Sequence, residues 1–187
     1  KRPIVKWLEY QFRLPSRQDL ATWFSGVPVN VALVTGHNGL TVIDFDTYDL
    51  YQEWLYWASG TKAAMLARTT RRVFTARGVH VYVKLEELPR TGPLLDAQGN
   101  RIGIDIKARG GYVLAPPSIH PSGVAYKIAR SSFHVQYATR LSDILPAAML
   151  VGATAPTTER RATGATSTVW TATPWGIADH ADAKATE

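Results

Sequence analysis

The chain has 187 residues, 45% of them hydrophobic, which is enough to form the core of one domain. It has no cysteine, which excludes disulfides and thiolate metal sites, and no apolar stretch typical of a membrane span or a signal peptide, so we expect a cytoplasmic protein. The net charge is +6, and residues 1–150 hold 18 Lys or Arg against 11 Asp or Glu. A basic domain of this kind is typical of a protein whose partner is a polyanion.

The N-terminal part of the chain predicts an extended segment and then a helix. Residues 3–14 mix aromatic and basic side chains and are expected to run extended across the surface. Ser16, with Asp19 three residues later, predicts a capped helix. Gly26 and the proline that follows predict its end.

The next segments predict a hairpin and a helix, followed by two strands. Residues 29–35 and 40–46 are rich in β-branched residues and flank the turn sequence GHNG, which predicts a β-hairpin. Residues 48–58 have the apolar spacing of a helix. Residues 64–75 predict two strands joined by a basic turn.

The remaining elements are mostly strands. Residues 78–84 and 101–107 alternate apolar and polar side chains and predict two strands, separated by a polar and flexible surface loop. Residues 110–129 predict a strand, a Pro-rich turn and a final strand. Residues 141–150 predict a short helix interrupted by Pro146.

The composition changes at residue 151. Residues 1–150 predict one domain of the α/β (α+β) class. Residues 151–187 are rich in Ala and Thr without an apolar period, which predicts a linker or a disordered tail leading to a further C-terminal domain. Because the first residue is Lys1 rather than Met, we expect the chain to be a fragment of a longer protein.

A pair of carboxylates stands out in the sequence VIDFD at residues 42–46. In a strand, side chains two positions apart share a face, so Asp44 and Asp46 lie on one face and the apolar residues between them on the other. The strands at 78–84 and 101–107 repeat this division and put His80 and Asp105 on their polar faces. If the three strands belong to one antiparallel sheet, one face is packed and the other gathers the polar groups.

These residue types suit nucleotidyl transfer. The reaction needs divalent ions that bridge phosphate oxygens, and Mg²⁺ or Mn²⁺ prefers carboxylate oxygens such as those of Asp44, Asp46 and Asp105. His80 is suited to hydrogen-bond a triphosphate oxygen. Three nearby cations would assist it, namely Arg77, Lys107 and Arg109.

The order of DFD, TARGVH and GIDIKARGGYVLAPPSIHPSG resembles the primase-polymerase (prim-pol) domain of the archaeo-eukaryotic primase superfamily, as in the N-terminal domains of phage and plasmid bifunctional DNA primase/polymerases. The resemblance runs from about residue 3 to residue 128. It implies a small N-terminal α/β unit packed on an RRM-like antiparallel or mixed sheet. It also implies a DNA-directed primase-polymerase that uses nucleoside triphosphates and a single-stranded DNA template in replication, with a C-terminal or separate helicase as an expected partner.

The resemblance also implies residue roles. Asp44 and Asp46 match the first motif and Asp105 the third, as metal ligands, and His80 matches the second, as a contact to the incoming nucleotide. Many relatives have Ser two residues before the histidine, where this chain has Gly78, whose backbone N–H is expected to replace the hydroxyl. In the PPSIHPSG segment, Ser118 and His120 are candidates for substrate contact or for a rigid turn.

Several alternatives stay open. Arg68, Arg71 and Arg72 are candidates for contact with DNA or the triphosphate, or for a solvated turn. Tyr82 and Tyr112 are candidates for base stacking or for packing. For the whole chain, one alternative is a catalytically weak prim-pol-like DNA-binding module of a replication initiator, and another is a metal nuclease, against which the GVH and PPSIHPSG elements argue.

Overall fold

The structure, a computed structural model, describes residues 3–132, 134–150, 172–173 and 176–177. Its helices are α1 (Arg17–Phe24), α2 (Tyr48–Ser59), α3 (Ala64–Thr69) and α4 (Ala147–Leu150). Its strands are β1 (Val31–Val34), β2 (Leu40–Phe45), β3 (Arg72–Phe74), β4 (Val79–Leu85), β5 (Gly92–Leu95), β6 (Arg101–Lys107), β7 (Tyr112–Ala115), β8 (Lys127–Ile128), β9 (Gln136–Ala138), β10 (Ala172–Thr173) and β11 (Gly176–Ile177).

The main sheet is mixed but mostly antiparallel. Its strands lie in the order β5-β6-β2-β4-β3-β8, and β9 pairs in parallel with β4 beyond the end of β3. The strand β2 lies between β4 and β6 and pairs antiparallel with both. Helices together with this sheet confirm the α+β class that the sequence predicts.

One face of the main sheet packs against α2 and forms the principal core. Alternate residues of the central strands, such as Ile43, Phe45 and Val81, are fully buried there. From α2, the Trp54 ring is also fully buried, and its Nε1 donates a hydrogen bond of 2.6 Å to the carbonyl oxygen of Ile144. The predicted alternation of β2, β4 and β6 is therefore confirmed. Their opposite face carries the polar side chains together with a second buried cluster that includes Val42 and Tyr82.

The strand β1 pairs with β7 in a separate two-stranded sheet, with Val34 opposite Tyr112. The hairpin predicted around GHNG is therefore wrong. Gly36, at a φ of 90°, and the 3₁₀ helix His37–Gly39 redirect the chain between β1 and β2. The GHNG sequence does form a turn, but this turn connects strands of two different sheets.

Three further predictions of secondary structure are wrong. The first half of residues 64–75 forms α3 rather than a strand, because a short apolar run fits both structures. The expected flexible loop before β6 contains β5, which pairs with β6 through an irregular register. The expected extended segment at residues 3–14 contains the 3₁₀ helix Leu8–Gln11.

The cap predicted for α1 is confirmed. Ser16 Oγ accepts a hydrogen bond of 3.0 Å from the Asp19 N–H, and Asp19 Oδ2 accepts one of 2.8 Å from the Ser16 N–H. No residue of α1 is buried, and the half-buried Trp23 contacts Tyr10 edge to face with ring centroids 5.0 Å apart. The helix is therefore held mainly by its cap and this aromatic contact.

The chain divides into two compact units, Lys1–Thr157 and Thr158–Glu187. In the second unit, β10 and β11 form an antiparallel pair. Apart from these strands, the linker or tail predicted at residues 151–187 lies outside the described residues. None of the helices in the described ranges has the length and apolar character needed to cross a membrane.

Candidate active site

Three predicted site residues form a row across the three central strands. Asp44 of β2 lies directly opposite His80 of β4 on one side and Asp105 of β6 on the other. Directly opposed residues of an antiparallel pair point to the same face of a sheet. Residues far apart in the sequence therefore meet on the polar face of β2.

His80 is held firmly beside Asp44. The imidazole is buried, and its Nε2 lies 3.4 Å from Asp44 Oδ1. Its ring centroid is 6.3 Å from that of Tyr82 and 5.8 Å from that of Tyr126. These contacts fix the ring plane while the half-buried Asp44 carboxylate keeps access to solvent.

Asp105 is paired with two cations. Its Oδ2 accepts a hydrogen bond of 2.7 Å from Lys107 Nζ, and its Oδ1 lies 3.6 Å from an Arg101 guanidinium nitrogen. Asp105 and Lys107 are both half-buried, whereas Arg101 is exposed. The Lys107 contact is therefore the more effective of the two in neutralising the carboxylate.

Asp46 lies beyond the end of β2 and is exposed. Its N–H donates to the carbonyl oxygen of Gly103 at 2.8 Å, which puts it opposite Gly103, two residues before Asp105 in β6. Within residues 3–132 and 134–150, no three Asp, Glu or His side chains are grouped so that they could hold a metal ion. The three-carboxylate metal site stays a prediction.

A cleft of about 360 Å³ opens over Asp44 and His80 of this row, and Asp105 is not among its lining residues. The main sheet supplies its floor, and the wall is formed by β7 and the glycine turn before it. Its lining residues are Asp44, His80, Thr91, Lys107, Gly110, Gly111, Tyr112, Val113 and Leu114. The cleft thus contains an acid, an imidazole and a lysine.

The sequence profile of bifunctional DNA primase/polymerase N-terminal domains (Prim-Pol) matches residues 1–148. The chain belongs to the Prim-Pol family. This membership implies a role of the DNA primase/polymerase type, with DNA and nucleotides as substrates. No curated protein matches the chain.

Two residues that were not predicted from the sequence support the cleft wall of this Prim-Pol domain. Thr91 Oγ1 accepts from the Ala108 N–H and donates to the Arg109 carbonyl oxygen, both at 2.8 Å. Gln11 Oε1 accepts from the Gly110 N–H at 2.8 Å. These contacts join distant parts of the chain, and no local sequence pattern indicates them.

Gly78 immediately precedes β4 and lies beside the end of β2. A Cβ atom at this position would lie 1.8 Å from the Phe45 carbonyl oxygen, so the backbone leaves no room for a side chain. The Gly78 N–H, predicted to bind nucleotide, donates to Thr75 Oγ1 at 3.0 Å. The neighbouring Arg77 is exposed and is not among the residues that line the cleft.

Neither Ser118 nor His120 lines the cleft. Ser118 is buried, and its hydroxyl donates to the Val31 carbonyl oxygen at 3.0 Å and accepts from the Val31 N–H at 2.9 Å. His120 Nδ1 lies 2.9 Å from Ser122 Oγ. In this arrangement both residues stabilise the Pro-rich turn, and their predicted contact with substrate stays untested.

The arginines at the start of β3 are divided between the two faces of the sheet. The Arg71 carbonyl accepts from the Tyr82 N–H, which puts Arg71 opposite Tyr82, on the face of the cleft. Arg72 lies on the other face, where it donates to Tyr51 Oη at 3.1 Å and to Ser131 Oγ at 2.7 Å. Arg68 is exposed in the last turn of α3.

Of the two tyrosines considered for base stacking, Tyr82 is buried in a small cluster with Val42, Val73 and Tyr126. Packing is therefore its role here. Burial raises the pKa of its phenol, and the negative charge of Asp44 raises this pKa further, so the hydroxyl stays protonated at neutral pH. Tyr112 is half-buried and lines the cleft.

Proposed function

We propose that the chain is a metal-dependent nucleotidyltransferase that makes or extends primers on single-stranded DNA, with the cleft as its nucleotide site. The observation that carries the proposal is the row of Asp44, His80 and Asp105 across three adjacent strands. The three residues come from the three sequence motifs. Their rigid alignment suits a reaction in which the protein mainly positions groups and neutralises charge.

The donors on this face fit a hard divalent ion. Asp44 and Asp105 offer carboxylate oxygens on adjacent strands, and Mg²⁺ or Mn²⁺ is commonly bound by one or two carboxylates while it keeps several waters. The exposed Asp46 would complete the set. Such an ion supplies positive charge that stabilises the attacking and leaving oxygens.

The other residues of the cleft bind the triphosphate. His80 Nε2 hydrogen-bonds a phosphate oxygen, and its buried ring keeps this nitrogen in place. Lys107, now bound to Asp105 at 2.7 Å, lines the same cleft and neutralises phosphate charge when nucleotide enters. The proton of the attacking hydroxyl passes to a carboxylate of the row or to solvent.

The test is incorporation of labelled nucleotide on single-stranded DNA with and without a primer, in Mg²⁺ or Mn²⁺. We expect Asp44→Asn and Asp105→Asn each to lower the rate by ~100-fold or more, because each removes a carboxylate that would hold the ion that stabilises the transition state. The same variants should bind Mn²⁺ more weakly in calorimetry. Glu53→Gln, an exposed carboxylate on α2, is the matched control and should change neither measurement.

The proposal would be contradicted by an Asp44→Asn variant that has wild-type activity and the melting temperature of the wild type. Short DNA fragments in place of pyrophosphate would identify a nuclease. Products without a primer would identify a primase, and products only with a primer would identify a polymerase that extends existing strands.

A second candidate is a DNA-binding module of a replication initiator with weak or no catalysis. The observation that favours it is the neutralisation of Asp105 by Lys107 and the pairing of Asp44 with His80. Such a module would bind DNA in a salt-sensitive way, through its basic surface, without metal-dependent incorporation. The same assay therefore separates the two candidates.

A further inference from the structure

Two exposed aromatic rings lie together just beyond the end of β2. Tyr48, the first residue of α2, is 48% exposed, and Phe74, the last residue of β3, is 37% exposed. Their ring centroids are 6.2 Å apart and the ring planes are tilted by 44°. Both rings remain partly accessible to solvent.

The pair lies next to the candidate active site. Tyr48 follows Asp46 by two residues, and Thr47 between them caps α2 by accepting a hydrogen bond of 3.3 Å from the Leu50 N–H. Phe74 lies opposite Val79, the residue after Gly78, where β4 passes the end of β2. Phe74 and Val79 face α2, on the side of the sheet opposite to the row, so a DNA strand that leaves the row past Asp46 rounds the end of β2 to reach these rings.

The rings are fixed in place by the core. The Tyr48 ring contacts the buried ring of Tyr51 with centroids 5.8 Å apart, and Phe74 belongs to a strand that pairs on both edges. Because the aromatic surface is already ordered, a ligand that stacks on it loses little entropy in ordering it. By contrast Tyr56, also on α2, is 86% exposed and has no ring contact with another described residue.

Two exposed cations lie near Phe74, one across the sheet and one along the chain. Lys127 of β8 lies directly opposite Phe74 and is exposed, and exposed Arg77 follows Phe74 in the turn to β4. The acidic Asp49 follows Tyr48 but lies about 100° further around the helix. Exposed aromatic rings beside cations are the features that bind single-stranded nucleic acid, because bases stack on the rings and the phosphates contact the cations.

We propose that Tyr48 and Phe74 form a stacking platform for the bases of the single-stranded DNA next to the reacting nucleotide, with Lys127 and Arg77 contacting its phosphates. This inference rests on the proposed function, because it requires a DNA strand that leaves the cleft past Asp46. The platform would bind DNA at a place separate from the residues that bind the triphosphate.

The test measures the affinity of the whole chain for a fluorescent single-stranded oligonucleotide by anisotropy, without nucleotide or metal. Tyr48→Leu and Phe74→Leu keep apolar bulk but remove the aromatic faces. We expect each to weaken binding by about 5- to 150-fold, the range for loss of one base stack. Tyr48→Phe keeps the ring and should bind as the wild type does.

Tyr56→Leu is the matched control and should leave the affinity unchanged. Unchanged DNA affinity in both Tyr48→Leu and Phe74→Leu would overturn the platform. The aromatic pair would then be a candidate contact for a protein partner. Equal losses in Tyr48→Leu and Tyr48→Phe would also overturn it, because the hydroxyl rather than the ring would bind. Melting temperatures near that of the wild type exclude unfolding as the cause.

Because the assay needs no catalysis, it separates this inference from the proposed function. An inactive chain that still loses DNA affinity on Tyr48→Leu would support the platform alone. An active chain whose DNA affinity is unchanged by both leucine variants would retain the proposed function and reject the platform.

Discussion

At the scale of single residues, Gly78 makes a close backbone approach beside the candidate site. A Cβ atom there would lie 1.8 Å from the Phe45 carbonyl oxygen and 2.8 Å from the Asp46 carbonyl carbon. Backbone atoms cannot move aside as a flexible side chain can. The residue therefore lets β4 pass close to the end of β2, next to the two acids of the DFD motif.

We predict that Gly78→Ala lowers the free energy of unfolding by at least the ~1–3 kcal/mol typical of overpacking. Gly92→Ala is the control, because Gly92 begins β5 and nothing lies within 4 Å of its added Cβ. Urea denaturation of both variants measures the difference. Equal stability of the two variants would contradict the close approach.

The residues of the row could be predicted from the sequence, because a period of two fixes which side chains of a strand share a face. Asp44, His80 and Asp105 follow from this rule once their strands are neighbours. The tight packing at Gly78 could not be predicted, because it depends on how closely the segment before β4 approaches the end of β2. Gln11 and Thr91 were missed for a similar reason, since their contacts join segments far apart in the sequence.

At the scale of elements, the N-terminal 3₁₀ helix braces the cleft wall. Gln11 Oε1 accepts from the Gly110 N–H at 2.8 Å, and Gln11 Nε2 donates to the Gly111 carbonyl oxygen at 3.4 Å. The Trp7 ring contacts Tyr112 edge to face with centroids 5.1 Å apart. The helix thus holds three consecutive residues of the wall.

We predict that Gln11→Ala loosens this turn with little effect on the rest of the domain. Loss of the hydrogen bonds should raise the KM for nucleotide by about 2- to 10-fold with little change in kcat. Amide hydrogen exchange at Gly110 should become faster even without nucleotide. The control is Gln18→Ala on α1, which is exposed; slower or unchanged exchange in Gln11→Ala would contradict the brace.

Elements with strong local patterns were predicted well, and elements defined by distant partners were not. The cap of α1 and the apolar spacing of α2 are local signals. The partner of β1 is β7, far along the chain, and no local turn sequence reveals it. The short α3 and β5 were misassigned because a few residues carry too little periodicity to separate helix, strand and loop.

At the scale of the whole molecule, residues 141–150 complete the core of the first unit. Leu141, Ile144 and Leu145 are buried, and the Ile144 carbonyl oxygen accepts the hydrogen bond of the Trp54 indole. Lys62 Nζ also lies 2.8 Å from Asp143 Oδ1, which lowers the pKa of that carboxyl. The segment therefore packs into the first unit, and the predicted domain boundary at residue 150 stays a prediction.

We predict that a chain ending at Thr157 unfolds cooperatively near the temperature of the full chain, whereas a chain ending at Arg140 does not fold. Removal of three buried apolar side chains costs roughly 5–9 kcal/mol. This is comparable with the whole stability of a typical domain, about 5–15 kcal/mol. Thermal circular dichroism compares the two, and a cooperative transition in the shorter chain would reject the boundary.

The separate sheet of β1 and β7 has a consequence for access to the cleft. The floor, which aligns Asp44 with its neighbours, and the wall, which carries Tyr112, belong to different hydrogen-bonded ladders. A movement of the wall to admit or release a ligand therefore breaks none of the ladder bonds between β2, β4 and β6. Such a movement would leave Asp44, His80 and Asp105 in the same alignment.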